Sequence, residues 1–323
     1  MPEKPRVLIH AENARELQNR LTDVSPDLPV HACGSNSELA ASVPDFAPDV
    51  VYSVRFDSST PFPTDTLLSD AGPRWISVGG SGCDHLGQWD TSRVTVTNSA
   101  GVGAAMMAEF VFGSVLHFTL DIDGLTRDKD SRRWQADRLM IPLRGKTMLI
   151  VGLGQTGQAV AARAKAFGMH VLGTRARPEP VGHVDEVFAA RELPTLWHRA
   201  DVVVMCVPLL DATRGLVDAA AFSAMKKTAI LVDVSRGNVI VPEAAIHALR
   251  TGQIKGAAFD VFHEEPLETE SPYWSLPNTI IAPHASAVFE GWGGNSFEMF
   301  LENLNCWQRG EPLQRIVDPS RGY

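Results

Sequence analysis

Residues 147–175, "TMLIVGLGQTGQAVAARAKAFGMHVLGTR", constrain this chain more than any other stretch. An apolar run leads into a G-x-G-x-x-G turn at Gly152, Gly154 and Gly157, an alanine-rich helical stretch comes next, and a second apolar run closes the unit. The glycine pattern alone is weak. Strand, turn, helix and strand in this order supply the context it needs to bind a dinucleotide. Gly152 then allows the tight turn, Gly154 lets the backbone approach a pyrophosphate, and Gly157 lets helix and strand pack closely. The amides near Gln155 and Thr156 open the helix and face the phosphates.

In such a unit an acid about 20 residues past the turn usually binds the ribose 2′-hydroxyl of NAD. Here the strand ends in "HVLGTRARPEP", and no acid occurs before Glu179. Arg175 stands where the acid belongs. A carboxylate there would repel a 2′-phosphate, whereas a guanidinium grips one through paired, charge-assisted hydrogen bonds. Thr174 adds a neutral donor and Arg177 shares the charge. The expectation is NADP(H) as the preferred cofactor, with NAD(H) second.

The 323 residues predict two domains. A net charge of −9 disfavours a general nucleic-acid surface. Cys33, Cys83, Cys206 and Cys306 lack paired spacing, which predicts reduced thiols, no disulfide framework and no metal site. The N-terminus runs straight into a strand-like segment without a signal-peptide pattern, so a cytoplasmic location is expected. Gly103 to Leu120 is the most apolar stretch, but its length, Glu109 and His117 predict a buried helix rather than a membrane span.

Strand-like runs alternate with helical patterns on both sides of that helix, as a parallel sheet requires. "RVLIHA", "PVHAC", "DVVYSV" and "WISVGG" are the early strands, with a helix over Ala14 to Val24. "TMLIVGLG", "MHVLGT", "ADVVVMCVP", "TAILVDVSRG", "GAAFDVF" and "NTIIAPHAS" are the later ones. The charged "RDKDSRRWQAD" between the two sets is expected to be solvated, Trp134 excepted. A last helix runs from about Glu290 to Arg309, with Gly310 as its C-cap. These elements make an α/β chain of two doubly wound units, the second inserted into the first. The predicted boundaries are 1–99 plus 286–323 for one domain and 100–285 for the dinucleotide domain.

Three late segments, "DVSRGNVI", "AAFDVFHEEPL" and "IAPHAS", resemble those of the D-2-hydroxyacid dehydrogenase (D-isomer-specific) family, and of its glyoxylate/hydroxypyruvate reductases in particular. "WISVGGSGCDHL", "NSAGVGAAMMAEF", "ADVVVMCVPLLDATRGLV" and "ENLNCWQRGEPL" extend the resemblance over nearly the whole chain. It implies a Rossmann cofactor domain inserted into a flavodoxin-like substrate domain. Residue by residue, it implies that Arg236 binds the carboxylate and carbonyl of a small 2-keto acid. His284 exchanges the proton, and Glu265 is bonded to His284. Further cofactor contacts are implied at Cys206, Val207, Pro208, Thr213, Val234, Asp260 and Ser286. Val78, Gly79 and Gly80 are the candidates for backbone N–H groups around the substrate carboxylate, with Arg55 as a further substrate contact. Asn98 and Glu109 match family positions and read as structural. Trp134 and Trp292 are candidates for pocket, core or interface. A homodimer is implied, with Gly103 to Leu120 helping to form the interface.

The chemistry is coherent in itself. Hydride addition leaves negative charge on a carbonyl oxygen, so a proton donor must stand beside it, and histidine suits that task. A buried glutamate beside the histidine would favour imidazolium. A fixed arginine can hold and polarise a keto acid. Two departures from the family pattern fall near the nicotinamide: Asp233 replaces the asparagine of N-T-A-R-G, and Ser286 stands where glycine is common. Glu265, where formate dehydrogenases of this fold have glutamine, argues against that activity. A short phosphoglycerate dehydrogenase is one alternative. A nucleotide-sensing corepressor of the same fold is another; such proteins commonly carry a disordered tail, and this chain has essentially none.

Overall fold

The structure, a computed structural model, describes residues 4–54 and 60–321. The chain divides into two compact units, residues 1–102 with 290–323 and residues 103–289. The first unit opens with β1 (Val7–His10), α1 (Ala14–Val24), β2 (Val30–Cys33), α2 (Asn36–Phe46), β3 (Val50–Ser53), α3 (Thr64–Leu68), β4 (Trp75–Val78) and β5 (Thr95–Asn98). Its five strands are all parallel, in the order β2-β1-β3-β4-β5, which is the flavodoxin-like order. The sequence permits this because "VLIH", "VVYS" and "WISV" are buried along their whole length. Such strands need cover on both faces of the sheet. α1 supplies part of it through Ala14, Leu17 and Leu21, spaced three and four apart.

The second unit holds α4 (Ala104–Thr119), α5 (Ile122–Asp130), β6 (Thr147–Val151), α6 (Gln155–Ala166), β7 (His170–Arg175), β8 (Glu186–Ala189), β9 (Val202–Met205), α7 (Ala219–Ala224), β10 (Ile230–Asp233), α8 (Pro242–Arg250), β11 (Gly256–Phe259) and β12 (Thr279–Ile281). Its seven parallel strands run β12-β11-β10-β9-β6-β7-β8. The order reverses between β6 and β9, the point at which open α/β sheets bind their ligands.

The chain then returns to the first unit as α9 (Trp292–Arg309), which ends on Gly310 in the left-handed region at φ 68°. Phe297, Phe300 and Leu304 of α9 pack into the core around Tyr52 and Trp75. Each such side chain contributes roughly 1.5–3 kcal/mol on full burial.

α4 buries Ala108, Val111, Phe112 and Val115 against the second sheet and α6. Among the described residues no single helix is long and apolar enough to cross a membrane. The charged stretch after α4 departs from expectation. Its first residues extend α5, and Asp128 is buried at 7 % exposure. A buried carboxylate needs charged partners. Arg133 donates to Asp128 at 2.8 Å, and Arg138 bridges Asp128 and Asp121. Trp134, expected to be the sheltered member, is instead 95 % exposed.

Candidate active site

Register places the candidate residues of the second unit along one sheet edge. Val151 of β6 pairs with Met205 of β9, Met205 with Asp233 of β10, Asp233 with Phe259 of β11, and Phe259 with Ile281 of β12. The segments starting at Gly152, Cys206, Val234, Asp260 and Ala282 therefore all leave the carboxyl edge of the sheet together. These segments carry the cofactor and catalytic candidates.

The glycine turn leaves β6 with Gly152 at φ 101°. A Cβ there would stand 2.6 Å from Cys206 O, so the position is closed to other residues on both counts. A Cβ on Gly157 would stand 2.1 Å from Gly152 O, which shows how tightly α6 seats on the turn. Gly154, the N-cap of α6, borders open space. Gln158 is the first amide of α6 to bond back, onto Gly154 O at 3.0 Å. The amides of Gln155, Thr156 and Gly157 precede it, as the first donors of any helix do. At the end of β7, Thr174 is buried, Arg175 half-buried and Arg177 exposed. Among the described residues neither arginine has an acidic partner within salt-bridge distance.

Other cofactor candidates serve the edge itself. Cys206 N donates to Val151 O at 2.8 Å, and burial pushes the Cys206 thiol well above its usual range, with Asp233 adding to the effect. Val207 and Pro208 are half-buried. Thr213 Oγ1 donates to Pro208 O at 2.7 Å and accepts from Leu210 N at 2.8 Å, closing the 208–213 loop on itself. Val234 is packed in the core, which leaves only its backbone to meet a ligand.

Asp260 holds the turn that carries the histidine. Its Oδ1 accepts from Ala285 N at 2.7 Å and Ser286 N at 3.0 Å, and its Oδ2 accepts from Ser286 Oγ at 2.5 Å. His284 N donates to Asp260 O at 2.8 Å, and His284 itself sits at φ 55°. The serine that replaces the usual glycine is thus buried and bonded to Asp260. The outcome is a rigid loop presenting His284 with its side chain 45 % exposed.

His284 Nδ1 lies 2.8 Å from Glu265 Oε2, and Glu265 Oε1 accepts from Phe262 N at 2.9 Å. Glu265 is 36 % exposed along its side chain, not buried as expected. Its carboxylate is fixed by hydrogen bonds rather than by exclusion from water. Arg236 comes after β10, half-buried, and its Nη1 donates to Ser235 O at 2.7 Å. Gly237 brings this segment against the next one: a Cβ there would fall 1.7 Å from Phe262 O. Arg236 and Glu265 are therefore carried by loops in direct backbone contact. Sequence reasoning missed this role of Gly237, although the glycine lies within the S/A-R-G pattern.

Asp233 is buried at 1 % exposure. Its Oδ1 accepts from Ser235 N at 2.9 Å and Ser235 Oγ at 2.5 Å. Burial, reinforced by the charge of Asp260, pushes its carboxyl up to about 7, against the pull of the Ser235 bonds and Arg236.

In the first unit, Val78 ends β4, and Gly79 and Gly80 come next. Gly79 N donates to Ser53 O at 2.8 Å, so that amide is already engaged. Asn98 has a structural part, donating from Nδ2 to Ser81 O at 2.7 Å. Glu109 pairs with Arg163 at 3.2 Å. Trp292 is half-buried. Arg55 lies outside the described residues.

Residues 112–286 match the NAD-binding domain of the D-isomer specific 2-hydroxyacid dehydrogenases. The chain belongs to that family. A D-isomer-specific 2-hydroxyacid dehydrogenase is an oxidoreductase, and the two parallel-sheet units seen here are its fold. Glyoxylate reductase of Thermococcus kodakarensis is 33 % identical over 266 residues, 79 % of this chain and 80 % of that protein. A solved family member from Aeromonas salmonicida is 29 % identical with a TM-score of 0.85, covering 98 % of this chain and 100 % of its own. A probable 2-hydroxyacid dehydrogenase from Rhizobium etli, solved with NADP, HEPES and L(+)-tartaric acid, is 25 % identical with a TM-score of 0.82, covering 99 % and 100 %.

Proposed function

We propose that this dehydrogenase reduces small 2-keto acids, glyoxylate and hydroxypyruvate among them, to D-2-hydroxy acids with NADPH as the preferred reductant. The observation that carries the reading is the His284–Glu265 pair. With Nδ1 committed to the carboxylate, Nε2 is the nitrogen left to give a proton to a carbonyl oxygen and to take one back in reverse. Glu265 fixes the ring through that bond. Arg236, held by its own loop, takes the substrate carboxylate and polarises the carbonyl. The substrate class agrees with the glyoxylate reductase name of the Thermococcus kodakarensis relative.

Residues 103–289 are assigned to the cofactor and residues 1–102 with 290–323 to the substrate. The cofactor fits what this chain offers: open space at Gly154, unspent amides at the start of α6, and two arginines at the end of β7 that have no acidic partner within salt-bridge distance among the described residues. The bound nicotinamide supplies the hydride; the residues named here supply position and proton. The Rhizobium etli relative was solved with NADP, which agrees with the same choice. NAD(H) is the second cofactor.

His284→Ala tests the reading. Turnover of glyoxylate and hydroxypyruvate should fall by about 10²–10⁴-fold, while NADPH binding, followed by its fluorescence, survives. Near-normal turnover in the variant would remove His284 as the acid.

A further inference from the structure

The last carbonyl of β4 and the three that follow it are each claimed from within the first unit. Val78 O accepts from Ser99 Oγ at 3.3 Å, Gly79 O from Ser296 Oγ at 2.7 Å, Gly80 O from Ser99 N at 2.9 Å, and Ser81 O from Asn98 Nδ2 at 2.7 Å. In a trans peptide the N–H points opposite to the C=O of the same plane. The amides of Gly80 and Ser81 are thereby turned away from the carbonyls that anchor them. Among the described residues neither amide donates to an acceptor. Gly79 is spent on Ser53 O, so the outward donors begin at Gly80, two residues after Val78, the first of the three candidates.

The anchoring hydroxyls form a buried chain. Tyr52 Oη lies 2.9 Å from Ser296 Oγ, and Ser99 Oγ lies 3.1 Å from it. Tyr52 and Ser296 are fully buried and Ser99 is 2 % exposed. Three hydroxyl protons serve the chain. The Tyr52 proton goes to Ser296, the Ser296 proton to Gly79 O, and the Ser99 proton is shared between Val78 O and Ser296. Burial pushes the Tyr52 phenol up to about 12, so it stays a donor across the working range. A Cβ on Gly79 would stand 3.0 Å from Tyr52 Oη and 3.2 Å from Ser296 Oγ, so glycine is what lets the hydroxyls reach this backbone. Ser296 arrives on α9, more than two hundred residues after Gly79. The return of the chain into the first unit is what completes the arrangement.

We propose that Ser296, supported by Tyr52 and Ser99, is a positioning residue for substrate: it fixes the 78–81 backbone so that the Gly80 and Ser81 amides receive the carboxylate of the 2-keto acid. Successive outward N–H groups form an anion-binding concavity whose strength depends on being held in place before the anion arrives. This rests on the 2-keto acid reading above.

The test uses the full chain labelled with ¹⁵N-glycine and ¹⁵N-serine, with oxamate as the carboxylate probe. In the wild-type protein with NADPH bound, oxamate should shift the Gly80 and Ser81 amide resonances. Ser296→Ala loses a buried hydrogen bond and should raise both the oxamate Kd and the glyoxylate KM about five-fold, with kcat changed by less than about two-fold. Tyr52→Phe, which keeps the ring packing, should move the same two constants in the same direction by less. NADPH affinity should not change in either variant. A merely structural loss would instead lower the melting temperature without separating KM from kcat. Wild-type turnover with unmoved Gly80 and Ser81 resonances, or unchanged oxamate Kd in both variants, overturns the proposal. If the wild-type protein turns over no 2-keto acid, the substrate reading fails on its own. The oxamate titration then still decides the positioning claim: for it if both amides shift in wild type and the oxamate Kd rises in Ser296→Ala, against it if either fails.

Discussion

At the scale of single residues, Asp233 shows what a one-atom change does at a buried edge. An asparagine there would offer the same Oδ1 to Ser235 N and Ser235 Oγ without a charge. The aspartate keeps those bonds and adds a carboxyl that burial, with Asp260 nearby, raises from 3.8 to about 7. Between those two values the folded chain binds a proton that the unfolded chain has released. Stability from this group is therefore greatest below about pH 4 and is lost as pH rises toward 7. Asp233→Asn should accordingly melt above wild type by a margin that widens from pH 5 to pH 8, each kcal/mol appearing as about 2–4 °C. Calorimetry at the two pH values checks this, and a margin independent of pH would contradict it. Ser286 illustrates the opposite case. It departs from the usual glycine, yet its hydroxyl meets Asp260 and its side chain is buried, so the serine ties the histidine turn to Asp260.

At the scale of elements, periodicity and turn chemistry made much of the fold legible. Ala14–Val24 is helical over the predicted span, Gly310 caps the last helix, and the apolar runs "RVLIHA", "WISVGG" and "TMLIVGLG" each contain a buried strand. β8 was not legible because "EVFA" is short and only partly buried at the edge of its sheet. The Asp128–Arg138 clamp was not legible either, since nothing local says that one aspartate in a charged run will be buried. The three late segments carrying Arg236, Glu265 and His284 were singled out by their resemblance to the family. The Tyr52–Ser99–Ser296 chain was not legible, because its members are isolated hydroxyl residues that only the fold brings together.

At the scale of the whole molecule, two parallel sheets are built on one principle: the central strands are buried, and the candidate residues sit on the loops at and beyond the carboxyl ends of the strands. In the second unit, that edge collects the glycine turn, Arg175, Arg236, Asp260 and His284. In the first, it collects the 78–81 backbone. β7 ends in Arg175, with Arg177 two residues on, rather than in an acid, so the edge is expected to take NADPH in preference to NADH. The most direct measurement is kcat/KM for NADPH and for NADH with glyoxylate, in wild type and in Arg175→Asp. Wild type should favour NADPH. The substitution should cost NADPH about 10–100-fold, the worth of a charge-assisted contact, while NADH changes little. Equal losses with both cofactors, or a wild-type preference for NADH, would contradict the account.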